Sequence, residues 1–337
     1  MILVLNCGSQ SIKWKVFSKD LKVAKEGKCI VLDQNSFQKS LEDELRKVNG
    51  LEINVIGHRV VHSGGILKSP LKITEENLQQ LEKINHLAPL HNPFNILGIK
   101  SCQEIFTNIP QFAFFDTEFF SDLPEKSYIY ALPENIVKEF GFRRYGFHGI
   151  SHEYIAKKAT GEKFDKLKII ACHLGGGSSI TAIKDGKAID TSMGFTPMEG
   201  LVMMTRSGNL DAGIVLELAK EFSADRTKEI LNNDSGLKGI CGESEMLKVL
   251  EKADEGNKKA ALALDIFIYS IQKYIGAYYT ILGGCDLLVF TGAIGFGSEK
   301  IRNMICKDLN ILKKTKVLAI ETDEELAIAE KVDKIIK

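Results

Sequence analysis

Residues 168–194, KIIACHLGGGSSITAIKDGKAIDTSMG, read as an apolar strand, a glycine and serine turn, a second strand, a tight hairpin at Lys184-Asp185-Gly186-Lys187 and a third strand. Three consecutive glycines, Gly175, Gly176 and Gly177, let the backbone approach a ligand closely. Ser178 and Ser179 add hydroxyls beside the exposed amide donors. Such a turn suits phosphate, because backbone N–H groups in a tight turn form an anion-binding concavity. Glycine-rich hairpins without a ligand are also common, so the turn alone does not establish a site.

The N-terminus repeats the device. ILVLNCGSQSIKWKVF is again an apolar run, a small polar turn and an alternating strand in which Ile12, Trp14 and Val16 share one face. At a constant offset, Gly8-Ser9-Gln10-Ser11-Ile12 lies over Gly176-Gly177-Ser178-Ser179-Ile180. A strand-turn-strand unit repeated more than a domain length apart implies a duplicated fold, with two phosphate loops expected to face a shared cleft. A third turn, FTGAIGFGSEKIR from Phe290, follows the strand CDLLVF and leads into a helical pattern. Its Gly292, Gly295 and Gly297 are spaced roughly like a dinucleotide fingerprint, but no βαβ unit with an acidic partner follows.

At 337 residues the chain has room for two domains. Lys plus Arg and Asp plus Glu each number 44, a balance that argues against nucleic-acid binding by bulk charge. No run of about 20 apolar residues occurs and the N-terminus enters a strand without a basic leader, so a soluble, cytoplasmic protein without a membrane partner is expected. Seven cysteines form no C-x-x-C pair and are read as reduced, mostly buried thiols.

In chain order, helices are expected over residues 36–47, 73–84, 96–106, 214–222 and 260–281, with a last helix opened by Glu324 and Glu325. Arg59 lies in the strand-like EINVIGHRVVHSGG among Val55, Ile56, Val60 and Val61, a costly place for a permanent charge unless an anion or a structural ion pair meets it. In LAPLHNP two prolines bracket His91 and make a rigid loop that aims its side chain. IPQFAFFDTEFF ends a buried strand at Asp116, where a carboxylate serves catalysis, metal binding or simple capping. FRRYGFHGISHEY concentrates Arg143, Arg144, His148 and His152, with a helix expected to begin near Ser151 and to be capped by it. HRVVH and HGISH are i, i+4 histidine pairs, but neither has the inner Glu of a zinc protease, and the first sits in a strand pattern. The Thr-Arg-Ser-Gly run puts Arg206 at a turn with room for an anion.

Taken together, NCGSQSIK, GHRVVHSGG, LAPLHNP, FDTEF, RRYGFHGISH, HLGGGSSI, DTSMGFTPMEGLVMMTRSG, FTGAIG and TDEEL resemble, in order and over almost the whole length, the acetate kinase family of acyl kinases in the sugar kinase, heat-shock 70 and actin superfamily. The resemblance implies an α/β fold of two ribonuclease-H-like, actin-like ATPase domains with a central cleft. The first domain would span 1–115 plus 326–337 and the second 116–325, the latter carrying the nucleotide loops and a homodimer interface. The implied reaction is reversible, magnesium- or manganese-dependent phosphoryl transfer from ATP to acetate, giving acetyl phosphate and ADP. On the matching positions the resemblance makes Arg59, Asp116, His148 and Arg206 catalytic. The two arginines would grip the phosphoryl group and the acyl carboxylate, and His148 would donate to developing charge. Asp116 would orient the acid, since a carboxylic acid with a pKa of about 4 is already ionised at neutral pH. Asn6 and Glu324 would hold the metal. Val61, Leu90, Phe147 and Pro197 would cup the alkyl group. Ser9, Ser11, Lys13, His91, His173, the Gly175–Ser178 loop (Gly175, Gly176, Gly177, Ser178) and the turn of Gly292, Ala293, Ile294 and Gly295 would serve the nucleotide and its phosphates.

The chain departs from the family on the nucleotide side. Gly176 stands where Asn is usual, and Gly-Phe-Gly follows Ile294 where the family has Gly-Ile-Gly-Glu-Asn. Glu243-Ser244-Glu245-Met246-Leu247 replaces a Ser-Ser-Asp-x-Arg segment, Asn209 replaces Asp, and the chain is short between Asn310 and Lys316. These differences keep other donors open, such as another nucleotide or pyrophosphate, and propionate or butyrate remain alternative acids. A nucleotide-gated binding protein of the same superfamily is the non-enzymatic alternative, disfavoured by the presence of Arg59, Asp116, His148 and Arg206.

Overall fold

Ile12, Trp14 and Val16 are fully buried while Lys13 between them is exposed, which is the period-two pattern of a strand with one face on a core. This strand belongs to the first of two compact units in the computed structural model, which describes residues 1–8, 11–31, 36–89, 91–161 and 163–337. Ser9 and Leu90, two of the expected site residues, lie outside the described residues. The first unit comprises Met1–Ser121, Gly149–Ser151 and Asp323–Lys337, and the second comprises Asp122–His148 and His152–Thr322. Asp116, Glu324 and Glu325 therefore fall with the first unit, whereas the expected boundaries assigned them to the second.

In the first unit, β1 (Ile2–Gly8), β2 (Ser11–Phe17) and β3 (Val23–Ile30) form an antiparallel meander. After α1 (Phe37–Arg46), β4 (Val55–Val60) pairs parallel to β1. The short β5 (Leu71–Lys72), α2 (Glu75–Lys83) and α3 (Asn92–Ile105) lead to β6 (Gln111–Phe115), which pairs parallel to β4. The sheet order is β3-β2-β1-β4-β6-β5. The C-terminal helix, Glu324–Ile336, returns to lie on β1 and β4. Gly57 makes that approach possible, since a Cβ there would stand 2.6 Å from Ile328 Cγ2 and 3.1 Å from Val332 Cγ2.

The second unit opens with α4 (Glu125–Tyr128), α5 (Glu134–Phe140) and α6 (Gly149–Thr160), the last shared with the first unit through its first turn. β7 (Lys168–Leu174), β8 (Ser178–Lys184) and β9 (Lys187–Thr191) form the second meander. Helices α7 (Ala212–Phe222), α8 (Ala224–Asn233), α9 (Gly236–Cys241), α10 (Met246–Asp254) and α11 (Lys258–Leu282) follow. Then come β10 (Leu287–Thr291), the single-turn α12 (Gly292–Gly295), α13 (Glu299–Cys306) and β11 (Lys316–Ala319). The order β11-β10-β7-β8-β9, with β10 parallel to both β7 and β11, repeats the β6-β4-β1-β2-β3 arrangement of the first unit. Buried Phe267, Ile271 and Ile275 of α11 pack with Ile170, Cys172 and Phe290 in one core. Each unit thus has the ribonuclease-H-like strand order, and the fold is a duplicated α/β pair.

The repeat is looser at the turn than a constant offset implies. Cys7 pairs with Ile12 across residues 8–11, whereas Cys172 pairs with Ile180 across residues 173–179. With the two isoleucines matched, the second ladder runs one pair further, to Leu174 and Ser178, before its three-glycine tip at Gly175–Gly177.

Candidate active site

In the first unit the ends of β1, β4 and β6 and the start of the C-terminal helix bring four of the expected residues together. Asp116 follows β6 directly and accepts from Arg59 with both oxygens, Oδ1 from Nε at 3.0 Å and Oδ2 from Nη2 at 2.6 Å. The remaining Arg59 nitrogen, Nη1, lies 2.9 Å from Glu324 Oε2 and donates to Asn6 Oδ1 at 3.4 Å. Arg59 therefore does have the structural ion pair that its apolar surroundings require, and these carboxylates raise its pKa against the desolvation that would lower it. Burial pushes the Glu324 carboxyl up to about 7, with Asp116 and Glu325 reinforcing the shift and Arg59 opposing it.

Glu325, the second residue of the C-terminal helix, also belongs to this cluster: Asn6 Nδ2 donates to its Oε1 at 2.9 Å. Lys15 pairs with Asp323 at 2.7 Å and reaches Glu325 at 4.0 Å. Nothing local in the sequence joins Asn6 to residue 325. The signal available was the apolar face of the final helix, which had to be buried somewhere. Lys13 faces Asn6 across the β1–β2 ladder and acts electrostatically on Glu324. Ser11 closes the same hairpin opposite Gly8. Val61 follows β4, its N–H held by Asn95 Oδ1 at 3.0 Å, and His91 occupies the N-cap position of α3.

In the second unit, His148 is the residue before α6, with φ 59° and ψ 23°. This left-handed conformation, uncommon outside glycine, is tolerated best by Asn, Asp and His. The helix begins at Gly149, so Ser151 lies inside its first turn and is not the cap that the sequence suggested. The His148 ring stacks on His173, with centroids 4.2 Å apart and planes 20° apart. Beside them, Gly177 leaves a small cradle: a Cβ there would lie 3.5 Å from His148 Cε1 and Nε2 and 3.5 Å from Arg206 Nη1. His148 and Arg206 thus converge on the tip of the β7–β8 turn.

Arg206 differs from Arg59. Its guanidinium donates to the Pro197 carbonyl at 3.4 Å, and among the described residues no carboxylate pairs with it. Desolvation holds its pKa below the ordinary arginine value. Gly175 N–H is satisfied within the turn, by Gly177 O at 3.1 Å and Ser178 Oγ at 3.3 Å, so the Ser178 hydroxyl closes the loop. Gly176 has nothing within 4 Å of its Cβ position. Gly292, with φ 79°, abuts the carbonyl of Leu174, and Ala293 N lies 3.9 Å from the Cβ position of Gly175. The α12 turn and the glycine loop are therefore neighbours, with Ile294 and Gly295 packed behind them. Phe147 is buried and Pro197 partly buried in this unit.

Among the described residues, no three His, Cys, Asp or Glu side chains gather as a metal cluster, and no helix is long and apolar enough to cross a membrane. His58 and His62, from the first histidine pair, are buried, and desolvation lowers both pKa values to about 4.

The model of the Acetokinase family matches residues 33–335. The acetate kinase of Carboxydothermus hydrogenoformans is 40% identical to this chain in an alignment covering 99% of both. Among solved structures, the acetate kinase of Porphyromonas gingivalis matches with a TM-score of 0.88 at 34% identity, over 100% of this chain and 99% of that one. A propionate kinase from Francisella tularensis subsp. tularensis matches with a TM-score of 0.89 at 36% identity, over 98% of each. The likeness runs the length of the chain: the chain belongs to the acetokinase family.

Proposed function

We propose that this protein is an acetate kinase, transferring the terminal phosphoryl group of ATP reversibly to acetate and giving acetyl phosphate and ADP. The observation that carries the reading is the state of Arg206, a desolvated guanidinium with no carboxylate partner among the described residues, aimed beside His148 at a glycine turn. Such a charge is costly unless an anion completes it, and a phosphoryl group with three equatorial oxygens is the anion that a guanidinium fork and an imidazole together suit. The turns at Gly175–Gly177 and Gly292–Gly295 would cradle the donor phosphates with backbone amides.

In the first unit, Arg59 would bind the acid and Asp116 would hold its guanidinium in plane through two hydrogen bonds. The oxygens of Asn6 and Glu324 both lie against Arg59 Nη1, so two hard donors already face one cationic point, which fits magnesium. When bound, the ion would neutralise donor phosphate charge. Asn6 and Glu324 would hold it, directly or through water, and Glu325 would orient the Asn6 amide. Val61 in the first unit would supply apolar surface for the short alkyl group, and Phe147 and Pro197 are the apolar candidates within the second.

A second reading changes only the donor. Residue 176 stands in open space where a longer side chain would be accommodated, so glycine there leaves the donor phosphates without a side-chain amide. Pyrophosphate or another nucleotide is the alternative. We also propose a cytoplasmic homodimer. The seven unpaired cysteines fit a reducing compartment, and exposed Ile214, Leu216 and Phe222 of α7 with Leu262 and Tyr269 of α11 offer apolar surface for a second copy.

Purified protein incubated with magnesium, hydroxylamine, acetate and, in parallel, ATP, GTP or pyrophosphate tests the reading. Hydroxamate should accumulate with acetate and ATP. Accumulation only with pyrophosphate would select the second reading, and none with any donor would remove both.

A further inference from the structure

Two imidazoles meet one hydroxyl in the second unit. Ser179 Oγ lies 3.0 Å from His148 Nδ1 and 2.8 Å from His152 Nε2. Ser179 and His152 are both completely buried. The spacing follows from the sequence: His148 and His152 stand one helical turn apart, His148 just ahead of α6 and His152 within it, and Ser179 is the second residue of β8. The far edge of the His148 ring, Cε1 and Nε2, faces the Gly177 cradle where Arg206 Nη1 also arrives. The inner nitrogen of His148 is thus tied to the fold while the outer one is presented to the loop.

A serine hydroxyl has one proton, so it donates to at most one of the two rings, and at least one ring must donate to it. That constraint couples the protonation pattern of the rings. His152 is held neutral by desolvation, with His173 adding to the effect, so it has a single N–H to give.

We propose that Ser179 is a positioning residue for phosphoryl transfer, linking buried His152 to His148 so that His148 keeps its proton on Nε2, the nitrogen facing the glycine loop. His152 Nε2–H donates to Ser179 Oγ, and Ser179 O–H donates to His148 Nδ1. His148 Nε2–H is then the donor on the side of the ring that faces the glycine loop, where a phosphoryl oxygen would accept from it. The opposite polarity would aim a nitrogen lone pair at that oxygen. Ser179 touches no substrate in this arrangement and acts entirely through His148. The stacked His173 ring limits tilting of His148, so the hydroxyl has to fix only the proton and the in-plane rotation.

This inference rests on the acyl kinase reading for its chemical purpose, but its physical content is separable. In 15N-histidine-labelled protein at about pH 8, above the ordinary imidazole range, long-range 1H–15N correlations report each ring's tautomer without turnover. His148 is expected to show a pyridine-like Nδ1 and a pyrrole-like Nε2, and Ser179→Ala should convert these to averaged, mixed-tautomer signals. The same variant should lower kcat by about tenfold to a hundredfold, the usual range for a lost supporting hydrogen bond, with KM for acetate little changed. Ser179→Thr, which keeps the hydroxyl, should restore the single tautomer and most of the rate. Unchanged His148 signals in Ser179→Ala overturn the proposal, as does a wild-type protein carrying its proton on Nδ1. A kinase assay that fails while the tautomer behaves as described would reject the function and leave the tether standing.

Discussion

Asp116 engages Arg59 through both carboxylate oxygens, and Glu324 takes the guanidinium nitrogen that is left over. The arginine is therefore oriented before any substrate arrives. Removing the bidentate partner should cost both stability and rate, because breaking a buried pair leaves its charge less compensated. Asp116→Ala is expected to lose roughly 3 kcal/mol in urea denaturation and about 10³ in kcat. A variant that loses the stability while keeping kcat within tenfold would assign Asp116 to the scaffold alone.

Arg206 should show the opposite balance. Among the described residues it has no carboxylate partner to orphan, and its removal relieves a desolvated charge. Arg206→Ala should therefore leave the denaturation midpoint unchanged or raise it, while lowering kcat by about 10³. A midpoint that falls steeply with little change in rate would make this arginine structural.

The Glu324 carboxyl, pushed up to about 7 by burial, gives a signed pH dependence. Its folded pKa lies above its unfolded value, so between roughly pH 4.5 and pH 7 the folded state binds more protons and stability from this group falls as pH rises. Metal binding needs the ionised form, so magnesium affinity should rise over the same interval. Glu324→Gln should flatten the metal-free stability profile near neutrality and weaken magnesium activation. Denaturation without magnesium and magnesium titrations of the rate, each from about pH 5 to about pH 8, provide the two readouts.

The duplicated meander and its glycine turns were legible because they depend on local residues: alternation at Ile12, Trp14 and Val16, and a hairpin at Asp185-Gly186. Arg59 was legible as a charge that needed an anion, and the structure supplies two carboxylates. The partners of that charge come from β1, β6 and the C-terminal helix, far apart in sequence, so no spacing rule joins Asn6 to Glu325. The α8–α10 helices went unread, since their short, polar amphipathic stretches lack the long apolar period of α11. His152 was seen as half of a possible zinc pair; its role emerges only when β8 brings Ser179 to the same helix face.

Buried histidines set a second pH limit, on the acid side. His58, whose Nε2 lies 2.7 Å from Gln111 Oε1, and His62 are both desolvated, with pKa values lowered to about 4. A depressed base pKa means that stability is fully present above the unfolded value of about 6.5 and is lost as pH falls toward 4, on the order of 3 kcal/mol for each ring. His58→Gln should remove part of this loss and leave a shallower decline in urea midpoint between about pH 6.5 and about pH 4. An unchanged slope would place the acid sensitivity elsewhere.

Gly57 links the packing of the C-terminal helix to the end of the cluster proposed to hold magnesium. It lies on β4 two residues before Arg59, under Ile328 and Val332, and Glu324 is the first residue of the same helix. A methyl group at position 57 would force the helix outward, an overpacking cost of about 1–3 kcal/mol. It would also draw the Glu324 carboxylate away from Arg59 Nη1. Gly57→Ala should therefore lower stability and raise the magnesium concentration needed for half-maximal rate. Ile328→Ala removes the nearest obstructing carbon, so the double variant should be less destabilised than the two single changes added together. Strict additivity, or normal magnesium activation in Gly57→Ala, would show that the helix can shift without carrying its first turn with it.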